Sequence, residues 1–186
     1  MKKTIFFLLY SLFLISAKAQ ITKGNWMVGG SASFVTNKSN GTTTNTVSFT
    51  QNSLNINPGI GYFFINKFAG GIRVLINSYN LATGGIRNKT TDYAIGPFAR
   101  YYFLPKEKQV NIFSEVDYSY TVPAPHSQNQ NSSGYIIELG TAVYFNTSVG
   151  LEFTLQYANS KSNSSISKTF QIGLGFQIHL EKKDKP

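Results

Sequence analysis

The chain has 186 residues, with 17 Lys and Arg against 8 Asp and Glu for a formal net charge of +9, and it contains no cysteine. That length fits one domain, and the missing cysteine excludes disulfides, thiolate metal sites, a cysteine nucleophile and a lipid-modified N-terminal cysteine. A basic balance points to nucleic acid only where it gathers into a patch or groove; here it lies in connections and tails, so no nucleic-acid partner is expected.

Residues 1–19 read as a signal peptide. Lys2 and Lys3 supply the charge, residues 5–15 the apolar run, and Ala17-Lys18-Ala19 a small-x-small cleavage site, so the mature chain is expected to begin at Gln20 with a charge of +6. The apolar run is too short to cross a bilayer as a helix, and no other stretch approaches the ~20 apolar residues that a membrane helix needs. A membrane location for the mature chain therefore means a barrel, since only helices and closed barrels satisfy every backbone polar group in lipid.

From Trp26 the chain alternates. Trp26, Val28, Ala32 and Phe34 share a face, and residues 36–46 follow with the Asn, Thr and Ser content of a loop. Leu54, Ile56, Pro58, Ile60, Tyr62 and Phe64 form the next apolar face, with a bulge or distortion expected at Pro58, which has no N–H for the ladder. After a tight turn at residues 65–67, Phe68, Ile72, Val74 and Ile76 make a third strand opposite Arg73. A second polar loop is expected over residues 80–91.

Tyr93, Ile95, Pro97, Ala99, Tyr101 and Phe103 then oppose Phe98, Arg100 and Tyr102, and a short turn covers residues 104–109. Val110, Ile112, Val116, Tyr118 and Tyr120 oppose Phe113, Glu115 and Asp117 before a third long loop at residues 121–133. Tyr135, Ile137, Leu139, Val143 and Phe145 oppose Glu138, and an Asn146-Thr147 turn leads to Val149, Leu151, Phe153, Leu155 and Tyr157 opposite Glu152. A fourth polar loop, residues 158–167, precedes the clearest run of all. Phe170, Ile172, Leu174, Phe176, Ile178 and Leu180 alternate there with Gln171, Gly173, Gly175, Gln177 and His179. Such a run suits a transmembrane strand of about 9–11 residues better than a globular strand of about 5–6.

Eight strands joined alternately by long polar loops and short turns predict an all-β, eight-stranded antiparallel up-and-down transmembrane barrel over residues 20–180. A short charged tail, residues 181–186, follows on the periplasmic side. The alternative is a secreted soluble lipocalin-like barrel binding a small apolar ligand. The charges favour the membrane, because no lysine lies in any strand core and Arg73, Arg100, Glu115, Asp117, Glu138 and Glu152 all share the small, polar face. A cation facing mid-bilayer would cost about 2–4 kcal/mol. These six residues are read as a structural interior network in which Arg73 and Arg100 pair with the carboxylates. Two aromatic girdles are also expected: Tyr62, Phe64, Phe68, Tyr101, Phe103 and Phe145 near the short turns, and Tyr79, Tyr93, Tyr118, Tyr120, Tyr135 and Tyr157 at the other rim.

Three segments carry a resemblance. Gly24-Asn25-Trp26-Met27-Val28-Gly29-Gly30, Asn57-Pro58-Gly59-Ile60-Gly61-Tyr62-Phe63 and Gly96-Pro97-Phe98-Ala99-Arg100-Tyr101-Tyr102-Phe103 resemble the porin-family, OmpX-like outer-membrane β-barrel proteins over essentially the whole mature chain. The resemblance implies a bacterial outer-membrane address and insertion by the barrel-assembly machinery. One departure is the end, since such proteins often finish on the last strand, whereas here Glu-Lys-Lys-Asp-Lys-Pro follows Leu180.

No chemistry is expected of it. Eight strands leave room for little beyond their own side chains, so a wide pore is excluded. The two mature histidines are His126, beside Ser127 in a Pro-rich loop, and His179. No nucleophile elbow, metal-ligand spacing or phosphate loop accompanies them, so the chain reads as a non-enzyme with no cofactor and no metal. The expected role is structural or surface-interacting, as a monomer with long loops outside and short turns and both mature termini in the periplasm. Lys38, Arg87, Lys89, Lys161 and Lys168, opposed only by Asp92, could meet outer-membrane lipid and lipopolysaccharide phosphates.

Overall fold

The computed structural model describes residues 21–39, 48–122, 132–162 and 166–181. The expected signal peptide, most of the charged tail, His126, Ser127 and the centres of three expected loops lie outside the described residues. Eight strands, β1 (Trp26–Ser39), β2 (Phe49–Ile65), β3 (Phe68–Thr83), β4 (Ile86–Tyr102), β5 (Val110–Val122), β6 (Ser132–Tyr144), β7 (Val149–Ser162) and β8 (Ile166–Leu180), close in chain order into one antiparallel barrel.

Its greasy face points outward. Ile60, Ile72, Leu139, Phe153, Leu174 and Phe176 are exposed, whereas all six charged residues of the predicted network are buried. An enclosed apolar ligand would need the reverse, so the lipocalin-like alternative is not favoured. A continuous apolar belt of this size belongs in hydrocarbon.

Every strand outruns its apolar pattern at the end away from the short turns. The second polar loop is a correction: β3 and β4 stay paired from Phe68↔Tyr101 to Thr83↔Ile86, leaving only Gly84-Gly85 as the turn. Both glycines have positive φ, 56° and 85°, the geometry that a two-residue hairpin requires. β1 likewise continues through Ser39 and β7 through Ser162. Beyond the bilayer both sheet faces are wet, so the ladder goes on while the hydropathy alternation that would betray it stops.

Pro58 does not produce a bulge. The β2–β3 ladder lapses between Ile56↔Ile76 and Gly59↔Arg73 and resumes in the same register, and the shift falls instead between Phe63 and Ile65. Pro97 leaves a matching lapse in the β4–β5 ladder, between Ile95↔Tyr120 and Phe98↔Asp117. Each proline removes a donor without adding a residue.

The inner face is less uniformly small and polar than expected. Its short-turn end is packed with Met27, Phe63, Phe98, Tyr102, Phe113 and Tyr144, joined by Ile21. Glycines on neighbouring strands make the space: a Cβ at Gly61 or at Gly71 would stand 2.8 Å from the Phe98 ring, and one at Gly140 would run into Phe113. The segment before β1 folds under this plug. Gly24 N–H donates to Phe63 O and Lys67 N–H to Ile21 O, each at 2.9 Å, while Lys67 itself sits in the tight turn at φ 69°. Tyr79 also departs from expectation, since it lines the interior rather than the outer girdle.

Candidate functional site in the barrel interior

Inward-facing positions on β3 to β7 converge at mid-barrel, and all six predicted charges meet there. Arg100 is 1% exposed and touches three carboxylates. Its Nε donates to Glu115 Oε2 and its Nη1 to Glu152 Oε1, both at 2.5 Å, and its Nη2 lies 3.8 Å from Glu138 Oε1. Arg73 meets the other side of Glu115, Nη2 to Oε1 at 2.5 Å, and reaches Asp117 Oδ1 with Nε at 3.1 Å. These Arg73 contacts are ion pairs without hydrogen-bond alignment, since Nε, Glu115 Oε1 and Asp117 Oδ1 have no hydrogen-bond partner. Each guanidinium also lies over a ring, Arg73 on Phe98 at 4.9 Å and Arg100 on Phe113 at 4.0 Å.

Strand register explains the convergence. Arg100, Glu115, Glu138, Gln156 and Gln171 are successive cross-strand partners from β4 to β8 and form one polar row around half the barrel. Glu115 directly opposite Glu138 would repel in isolation; Arg100 contacts both. Gln156 continues the row, donating to Glu138, while Gln171 donates to Gln156 Oε1 at 2.6 Å.

The sequence did not single out Tyr102, Thr154, Gln156 or Gln171 as members. Their inward parity was visible, but a hydrogen bond across the barrel depends on the stagger of strands far apart in sequence. Tyr102 links the charges to the plug, accepting from Arg100 Nη1 at 3.2 Å with its hydroxyl 3.5 Å from His179 Nε2. His179 is 1% exposed and packs edge-on against Phe63 and Tyr102 and at a tilt against Tyr144. It packs in the plug, and among the described residues no three His, Asp or Glu are grouped to hold an ion.

Above the charged row the inner face opens into a vestibule of about 600 Å³ lined largely by amide and hydroxyl side chains, with Asn57, Asn77 and Gln171 among them. The charged row lies at its foot, with the plug beyond it. The site can therefore hold small polar groups at the loop end, while its middle is an ion-paired septum.

Comparison with known proteins agrees with this architecture. The outer membrane protein beta-barrel domain family matches residues 5–178. The crystal structure of the outer membrane protein OprG from Pseudomonas aeruginosa matches with a TM-score of 0.54 at 15% identity, covering 90% of this chain and 100% of that one. At that identity the likeness speaks for the fold. No curated protein matches the chain in sequence.

Proposed function

The chain belongs to the outer membrane protein beta-barrel domain family, and on that premise we propose that this integral outer-membrane protein acts as a plugged barrel that anchors to lipopolysaccharide and displays its long hairpins at the cell surface. It conducts no solute stream and catalyses no reaction. The observation that carries the closed interior is Arg100, fully buried between carboxylates from β5, β6 and β7. An arginine so held ties the walls together across the lumen, and below it the aromatic plug fills the short-turn end.

The basic residues support the lipopolysaccharide contact. Continuing the outward parity of each strand past its last apolar residue reaches Lys38 on β1, Arg87 and Lys89 on β4, Lys161 on β7 and Lys168 on β8, all exposed. Lys161, Lys168 and Lys38 lie on three adjacent strands. Cations at that height and on that face meet lipid phosphates rather than the lumen. In this reading the hairpins face outward, the short turns and both mature termini face the periplasm, the protein is a monomer, and the barrel-assembly machinery inserts it.

Titrating the purified protein with lipopolysaccharide while following its unfolding midpoint tests the contact. The midpoint should rise, and the rise should fall sharply in a Lys38→Gln, Lys161→Gln, Lys168→Gln triple variant. An equal rise in both proteins would refute it. In planar bilayers the wild type should show no steady conductance, and a long-lived open state would refute the closed interior.

A further inference from the structure

The barrel does not close along its whole height. β1 pairs with β2 from Trp26↔Tyr62 to Ser39↔Phe49, but with β8 only from Trp26↔Leu180 to Ala32↔Leu174. Beyond that point residues 33–39 of β1 and 166–173 of β8 have no partner across the seam among the described residues. The apolar belt continues past the parting: Phe34 still sits beside Leu54, Ile172 beside Leu155 and Phe170 beside Tyr157. Ile172, Phe170 and Phe34 are 76%, 68% and 66% exposed; apart from Ile86 at the tip of the β3–β4 hairpin, at 67%, no other large apolar side chain among the described residues is as exposed. Each lacks a neighbour on its seam side.

Two unpaired strand edges facing hydrocarbon are not tolerated unless something covers them or they border a water-filled cavity. Such a cavity is present. The vestibule is walled on one flank of the seam by Val35 and on the other by Thr169 and Gln171, so the parted edges border both polar space and lipid. Among the described residues the vestibule wall holds no Lys or Arg and one acid, Asp92. At its foot Asn57 is buried with Oδ1 unpartnered, and the row beneath carries four carboxylates to two guanidinium groups.

We infer that the β1–β8 seam is a lateral portal for a single-chain amphiphile from the surrounding leaflet, its uncharged, hydrogen-bonding head seated in the vestibule and its chain lying between Phe34 and Ile172. Continuity with the lipid-facing belt selects the apolar chain, and the amide- and hydroxyl-lined wall selects the head. Anionic heads are disfavoured by the acid in the wall and the surplus of carboxylates below it.

The experiment uses the full mature protein in phosphatidylcholine nanodiscs. Trp26 is the only tryptophan, so Trp26→Phe with Tyr79→Trp puts a lone fluorophore in the vestibule, and Phe34→Cys with Ile172→Cys supplies two thiols in a chain that has no others. The probe is a dibrominated dodecyl maltoside, whose bromines quench tryptophan at short range. Saturable quenching is expected before the thiols are bridged, and a several-fold loss after a short bis-thiol reagent joins them. Acrylamide, entering from the open mouth, should quench equally in both states. A brominated fatty acid of the same chain length should quench about tenfold more weakly than the maltoside, the discrimination that ~1.4 kcal/mol provides.

Because bridging follows folding, the unbridged sample is its own control. Equal maltoside quenching with and without the bridge, or none in either, would overturn the portal. So would dimers cross-linked through Phe34→Cys alone, which would make a second copy the occupant of the edge. Any of these results leaves the septum below unaffected.

Discussion

Replacing Arg100 by methionine tests the septum most severely, because this one side chain serves three anions. Methionine keeps much of the length and the apolar contact with Phe113 while removing the charge. Glu152 then loses its 2.5 Å partner, Glu138 its cation at 3.8 Å and Glu115 one of its two arginines. Breaking a buried pair by deleting one partner costs about 3–5 kcal/mol, which is about two to three and a half powers of ten in the unfolding equilibrium. The assay is reversible urea unfolding in short-chain lipid vesicles, read by the difference in electrophoretic mobility between folded and unfolded barrel. Glu152→Gln, which keeps an oxygen for Arg100 Nη1, should cost about 1 kcal/mol. An Arg100→Met midpoint within about 0.5 kcal/mol of wild type would refute the septum as a stabilising element.

Overpacking the plug should also be measurable: Gly140→Leu drives a side chain into Phe113 and should destabilise by about 1–3 kcal/mol, and adding Phe113→Ala should recover part of that loss rather than add to it. Orientation can be read on intact cells with a maleimide that does not cross the outer membrane. Asn88→Cys, near the tip of the β3–β4 hairpin, should label, and Thr147→Cys should label only after the membrane is opened; the reverse pattern would invert the topology while leaving the barrel intact.

The sequence shows the membrane-spanning part of this fold well because lipid on one side and a packed lumen on the other impose a strict period of two. β8 displays that period from Phe170 to Leu180. Where both faces meet water, as in residues 80–83 and 86–91, the same ladder carries no alternation, and Asn, Thr and Lys read as loop. Proline was legible as a missing donor at Pro58, but whether the ladder skips a bond or adds a residue depends on the partner strand, and the actual shift beside Phe64 has no local signal. In the site, the parity of the six charges was legible. Their partners were not, because Arg100 reaches Glu152 across three strands and only closure brings those strands together. The aromatic plug was missed for a similar reason: Phe98 and Phe113 fit inside a narrow barrel only because Gly61, Gly71 and Gly140 on other strands give way.

The central claim is that the apolar face lies in lipid and the polar face inside, and β8 tests it most directly. With no native cysteine, nitroxide labels can be placed singly at each position from Ile172 to Ile178 and their collision rates with oxygen and with a water-soluble nickel chelate compared in bilayers. Residues 172, 174, 176 and 178 should be oxygen-accessible and chelate-protected, while 173, 175 and 177 should be shielded from oxygen, giving a period of two across the strand. A flat profile, or chelate reaching the even positions, would contradict the account.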